Sequence, residues 1–183
     1  MKNSPIKISA AANVALIKYW GKKDLEKNIP AVPSLSIGIE DLRTDTKISK
    51  SRGDTDTLVG KFKKSEGQRI LNYVSMAKKL LGVSGGLEIE TENNFPASSG
   101  LASSASGFAA IALGIDKFYG LDMPREDISR LARLGSGSAA RSIYGGFVQM
   151  DTGPDPSAKP LIVGEPWPLD ILVLVTEEQP KKM

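Results

Sequence analysis

The chain contains neither cysteine nor histidine. Without cysteine there is no disulfide and no thiolate metal site. Without histidine the commonest general base and the commonest zinc ligand are both missing. Charge of one sign is also in short supply: 24 basic against 21 acidic residues leave a net charge of only +3. So small and scattered a surplus suits an anionic small substrate and does not call for nucleic acid. No apolar run is long enough to span a membrane, and the early lysine is not followed by a signal core, so the expected compartment is the cytoplasm with no membrane partner. Chemistry is left to carboxylates, lysine, arginine, hydroxyls, backbone amides or a bound magnesium. That set points to phosphate transfer more than to imidazole-assisted hydrolysis.

What is present is an ordinary globular composition, 40% hydrophobic and 25% charged over 183 residues. Ile6 to Ser9 alternates as a strand, and Val14 to Ile17 extends it as a buried apolar run. Ser36 to Ile39 and Thr44 to Ser49 predict two strands joined near Asp41, with Lys23 to Pro33 a loop before them and Thr57 to Val59 a short edge strand after. Ser65 to Leu81 changes period: Ile70, Val74, Ala77 and Leu81 share one helical face, and Gly82 supplies the stop. Leu87 to Glu90 returns to strand. From Leu101 the spacing of Ala105, Phe108, Ala112, Ile115 and Tyr119 predicts a second helix ended by Gly120. Asp122 is the expected cap of a third, with Pro124 in its first turn and Ile128, Leu131 and Ala132 facing inward. Gly145 to Met150 and Ile171 to Val175 read as further strands, the latter strongly buried, around a loop from Asp151 to Lys159. Strands followed by interleaved helices and strands favour a layered α/β domain.

Between the strand near residue 90 and the second helix lies Pro96-Ala97-Ser98-Ser99-Gly100-Leu101-Ala102-Ser103-Ser104-Ala105-Ser106. Small residues let backbone approach a phosphate, free amides at a helix start point at its charge, and serine hydroxyls add donors or orient magnesium. The same composition also suits close helix packing and serine capping, and it matches neither the common GxxxxGK[ST] nucleotide loop nor the dinucleotide GxGxxG pattern. A second unusual stretch, Ala10-Ala11-Ala12-Asn13-Val14-Ala15-Leu16-Ile17-Lys18-Tyr19-Trp20-Gly21-Lys22, sets a basic aromatic tip on an apolar strand.

These two stretches and a third, ARLGSGSAARSIYGGFV from Ala132 to Val148, together resemble the signature segments of mevalonate diphosphate decarboxylases. That family belongs to the galactokinase, homoserine kinase, mevalonate kinase and phosphomevalonate kinase superfamily. The resemblance implies an α/β (α+β) fold, the small-molecule-kinase N-terminal domain related to a ribosomal-protein domain. It implies ATP-dependent phosphorylation of the 3-hydroxyl of mevalonate 5-diphosphate, then loss of phosphate and carbon dioxide to give isopentenyl diphosphate. Magnesium would accompany ATP, and homodimers are common. Residue by residue, it puts Tyr19 and Lys22 at the mevalonate diphosphate site with Trp20 shaping the wall. Ser136, Gly137 and Ser138 would contact the substrate, and Arg141 would grip its carboxylate. Ser98, Gly100, Leu101, Ala102, Ser103 and Ser104 would hold the ATP phosphates.

The pattern departs from the family in three respects. Val32-Pro33-Ser34-Leu35-Ser36 stands where many members have Asn-Ser-Ser-Leu-Ser, which keeps Ser34 and Ser36 but loses two polar side chains. Ala11 and Ala12 stand where a proline or histidine often precedes the asparagine. The resemblance also covers only the N-terminal half of the family pattern, so residues 1–183 are expected to be an ATP- and substrate-binding domain without its second domain. The aspartate that members carry in an Asp-Ala-Gly-Pro context is not found; Asp24 and Asp151 sit in turn-like surroundings and neither is assigned as a base or metal ligand. A mevalonate 5-phosphate decarboxylase, a mevalonate 3-kinase and a non-catalytic binding domain stay open as alternatives.

Overall fold

A computed structural model describes residues 4–60, 62–96, 103–161 and 169–174. In chain order the elements are β1 (Ile6–Ile17), β2 (Lys22–Asp24), β3 (Ile29–Pro30), β4 (Ser34–Lys50), β5 (Thr57–Val59), α1 (Lys64–Leu81), β6 (Leu87–Asn93), α2 (Ser103–Tyr119), α3 (Arg125–Gly135), a 3-10 turn (Ala139–Ile143), β7 (Phe147–Met150) and β8 (Ala158–Pro160). Strand β4 organises the main sheet. Antiparallel β1 pairs along one edge of it; on the other edge β7 takes Ser34 to Ile37 and β6 takes Thr44 to Lys50. Outside these, β5 joins β6 in parallel and β8 joins β7.

The expectation of two strands joined near Asp41 is corrected: β4 is one strand carrying a bulge. Opposite the step from Ala11 to Ala12, it inserts Glu40, Asp41 and Leu42 between Ile39 and Arg43. Arg43 fastens the bulge, donating from Nε to the Glu40 carbonyl (2.6 Å) and pairing with its carboxylate (2.6 Å). The expected loop over Lys23 to Pro33 instead contains a small antiparallel pair, β2 with β3. Strand β1 runs unbroken, and its end from Val14 to Ile17 is half-buried to exposed rather than buried.

One face of the sheet carries the helices. Ile48, Leu87 and Ile89 point into a core shared with Val74 and Ala77 of α1, Ala109, Ile111, Ala112 and Ile115 of α2, and Leu131 of α3. Because α2 lies against the sheet and against both other helices, it is buried on nearly every side. Gly82 and Gly120 close α1 and α2 in left-handed conformation (φ 65° and 63°), where a β-carbon is disfavoured. The expected Asp122 cap is corrected: α3 starts behind Pro124 without a side-chain cap. The preceding turn is held by Asp116, whose carboxylate accepts from the Met123 amide (2.9 Å).

Lys7, Ser9, Asp45, Lys47, Glu90 and Glu92 line a shallow charged groove on the other face of the sheet. The expected buried strand from Ile171 to Val175 is also corrected over its described part: 171–174 form no strand, and Leu172 is 84% exposed. No helix among the described residues is long and apolar enough to cross a membrane.

Candidate functional site

Strand β4 opens with Ser34 and Ser36, both buried and both pointing to the same face because residues two apart in a strand share a side. Arg141, from the 3-10 turn, lies across them: Nε donates to the Ser36 hydroxyl (2.9 Å) and one terminal nitrogen, Nη1, to that of Ser34 (2.8 Å). Only 3% of this residue is exposed, and no salt bridge engages it among the described residues. Burial pulls the guanidinium below its ordinary pKa, an effect that Tyr19 opposes. The Tyr19 ring centroid is 6.0 Å away, at the outer reach of a cation–π contact. Two neutral hydroxyls thus orient a cation without neutralising it.

Asn13 pins the next turn. It is buried within β1, and its amide donates to the Ser138 carbonyl (3.2 Å) and the Ser142 hydroxyl (2.7 Å). Gly137 has a steric reason to be glycine, because a β-carbon there would fall on the Tyr19 hydroxyl. Lys22, at the start of β2, donates from Nζ to Asn28 Oδ1 (2.6 Å). Tyr19, Lys22, Gly137, Ser138 and Arg141 are thereby brought into one region. Trp20, which the resemblance sets beside them, is 79% exposed.

The serine-rich segment meets this region at one point. Ser103 and Ser104 begin α2, and the Ser104 hydroxyl lies 3.5 Å from that of Ser136, itself 3.2 Å from that of Ser138. Beside the helix start is a hollow of about 90 Å³ whose lining includes Thr44, Thr91, Asn93, Ser103, Ser104 and Arg69. Arg69 is stacked over Phe108 (4.8 Å) and donates to the Gly135 carbonyl (2.7 Å). Ser98, Gly100, Leu101 and Ala102 lie outside the described residues. Among the described residues no group of three or more acidic side chains gathers to hold a metal.

The roles of Asn13, Asn28, Ser34, Ser36 and Ser142 are not legible in the sequence alone. The available signal was polarity out of place: an asparagine inside an apolar strand, and serines at alternate positions of another.

Residues 10–159 match the family described as the diphosphomevalonate decarboxylase-like N-terminal domain. The Candida albicans diphosphomevalonate decarboxylase is 38% identical over 95% of this chain and 54% of its own length. The structure of mevalonate diphosphate decarboxylase from Staphylococcus aureus superposes with a TM-score of 0.80 at 39% identity, over 88% of this chain and 51% of that one. A structure described as MDDEF in complex with MVAPP, AMPPCP and magnesium superposes with a TM-score of 0.77 at 34% identity, over 86% of this chain and 50% of that one. The chain spans about half the length of the curated relatives it matches.

Proposed function

The chain belongs to the diphosphomevalonate decarboxylase-like family, as its N-terminal domain, and from that premise we propose that it supplies the ATP and substrate sites of an ATP-dependent decarboxylase acting on mevalonate 5-diphosphate. The observation that carries the reading is the meeting of Ser104 and Ser136 at 3.5 Å. It puts the helix start expected to take nucleotide phosphates beside the turn expected to hold the substrate.

In this reading Arg141 binds the substrate carboxylate. Its guanidinium fork suits a planar anion, and the serines behind it hold the fork still. Lys22 serves the diphosphate as a point charge, Tyr19 with Gly137 bounds the pocket, and Ser136 and Ser138 offer hydroxyls to the substrate. Ser103 and Ser104, with Ser98, Gly100, Leu101 and Ala102, receive the ATP phosphates. The hollow beside α2, lined in part by Asn93, Ser104 and Arg69, adjoins this helix start.

The donor set fits magnesium carried by the nucleotide, with a serine hydroxyl from Ser103 or Ser104 as the protein's share. Bound there, the metal would neutralise charge on the transferring phosphate. Phosphorylation of the 3-hydroxyl turns it into a leaving group. Departure of that phosphate and breakage of the carbon–carboxylate bond then form the alkene of isopentenyl diphosphate with release of carbon dioxide. Arg141 orients the carboxylate for this step, so that positioning carries much of the catalysis. The same reading expects a cytoplasmic homodimer with no nucleic-acid partner.

The test is product analysis on the complete protein with ATP, magnesium and each of mevalonate, its 5-phosphate and its 5-diphosphate. Carbon dioxide and isopentenyl diphosphate from the 5-diphosphate alone are expected. Preference for the 5-phosphate would move the reading to a monophosphate decarboxylase, and ADP without carbon dioxide to a 3-kinase. No turnover of any of the three, with ligand binding retained, would leave a binding domain.

A further inference from the structure

Asn28 sits between β2 and β3 with φ 52°, a left-handed conformation that asparagine tolerates better than most residues. Its amide nitrogen forks across the carbonyls of Arg133 (3.1 Å) and Leu134 (3.0 Å), two acceptors that the end of α3 leaves without helical partners. That fork fixes which way the amide faces, since the reverse orientation would set an oxygen against two carbonyl oxygens. Oδ1 is therefore directed away from α3, and it accepts from Lys22 Nζ at 2.6 Å. The backbone around it is held as well: the Lys27 carbonyl accepts from the buried Arg133 Nε (2.9 Å).

We propose that Asn28 is a positioning residue, which uses the end of α3 as an anchor to hold the Lys22 ammonium toward the anionic end of the substrate; the substrate part rests on the function proposed above. An exposed lysine has a flexible four-carbon stem and loses rotamer freedom when it grips a ligand. One fixed acceptor removes part of that loss beforehand and leaves the ammonium's other two donors free for oxygen atoms of the ligand. Neutrality matters equally. An aspartate could accept the same bond, but it would cancel the charge that an anion needs and set a carboxylate against two carbonyls.

The test uses the complete protein, with Asn28→Gly and Asn28→Asp made in both wild-type and Lys22→Ala backgrounds. Glycine removes the side chain yet accepts the left-handed backbone. Two readouts are taken: the rate at which a small acylating reagent labels Lys22, followed by mass spectrometry, and the affinity for mevalonate 5-diphosphate by calorimetry. The expected result is faster labelling of Lys22 in Asn28→Gly. Affinity should weaken about tenfold in Asn28→Gly and further in Asn28→Asp, with no additional loss from Asn28→Gly once Lys22 is alanine. An unchanged labelling rate would overturn the proposal. So would an equal loss of affinity with and without Lys22, since Asn28 would then act through the fold alone. If instead Lys22→Ala leaves the affinity intact while Asn28→Gly still alters labelling, the positioning stands and the substrate reading fails.

Discussion

At the scale of single residues, the arrangement around Arg141 separates charge from geometry. Ser34 and Ser36 engage two of its nitrogens, so the guanidinium plane is set by β4 and not by a counter-ion. Arg141→Lys retains a cation but cannot span both hydroxyls or present a fork. We expect it to lower carbon dioxide release from mevalonate 5-diphosphate by about two orders of magnitude, the scale of loss that follows from misplacing a reacting group. The folding cost should stay within about 1–3 kcal/mol, since the serine hydroxyls lose one partner each. Steady-state turnover beside a urea unfolding curve measures both. Unchanged decarboxylation would remove Arg141 from the carboxylate.

At the scale of elements, Asp56 joins three parts of the fold. Its Oδ1 accepts from Lys78 of α1 (2.6 Å) and from the Leu87 amide that opens β6 (2.9 Å), while the residue itself leads into β5. The two side chains are only 11% and 12% exposed, so this pair is screened far less than a surface ion pair. Asp56→Ala should therefore destabilise the domain by about 3 kcal/mol, because it leaves a largely enclosed ammonium without its counter-ion, bonded only to the Gly85 carbonyl (2.8 Å). A urea midpoint shifted by much less would mean that Lys78 escapes to water. Helices were the elements most legible in the sequence, since the faces of α1 and α3 repeat at helical spacing. The continuity of strand β4 is hidden in the sequence, because Glu40 and Asp41 break the alternation at a bulge that only β1 opposite makes visible. Residues 171–174 are as apolar as a strand, but a strand also needs a neighbour, and pairing is not written in the segment itself. The site divides in the same way. Its lysine, arginine and glycine-serine turns stand out locally, whereas Asn13, Asn28, Ser34 and Ser36 gain their roles from partners more than a hundred residues away.

At the scale of the molecule, the start of α2 meets the turn before Arg141 at Ser104 and Ser136, within a chain that spans about half the length of its relatives. Tested alone, this stretch should bind a non-hydrolysable ATP analogue but show negligible release of carbon dioxide, because one wall cannot exclude water or fix the 3-hydroxyl. Calorimetry and a carbon dioxide assay on protein of verified mass would decide it, and efficient turnover would move the whole chemistry into these residues. The two-sided pairing of β4 has a consequence for how the chain is made. Ser34 to Ile37 pair with β7, which leaves the ribosome more than a hundred residues later. At ordinary translation speed the wait is roughly 5 to 20 s. Throughout it, the start of β4 presents an open edge flanked by β1, a template for the nascent chains of neighbouring ribosomes. The strand that seats Arg141 is thus among the last to be sealed.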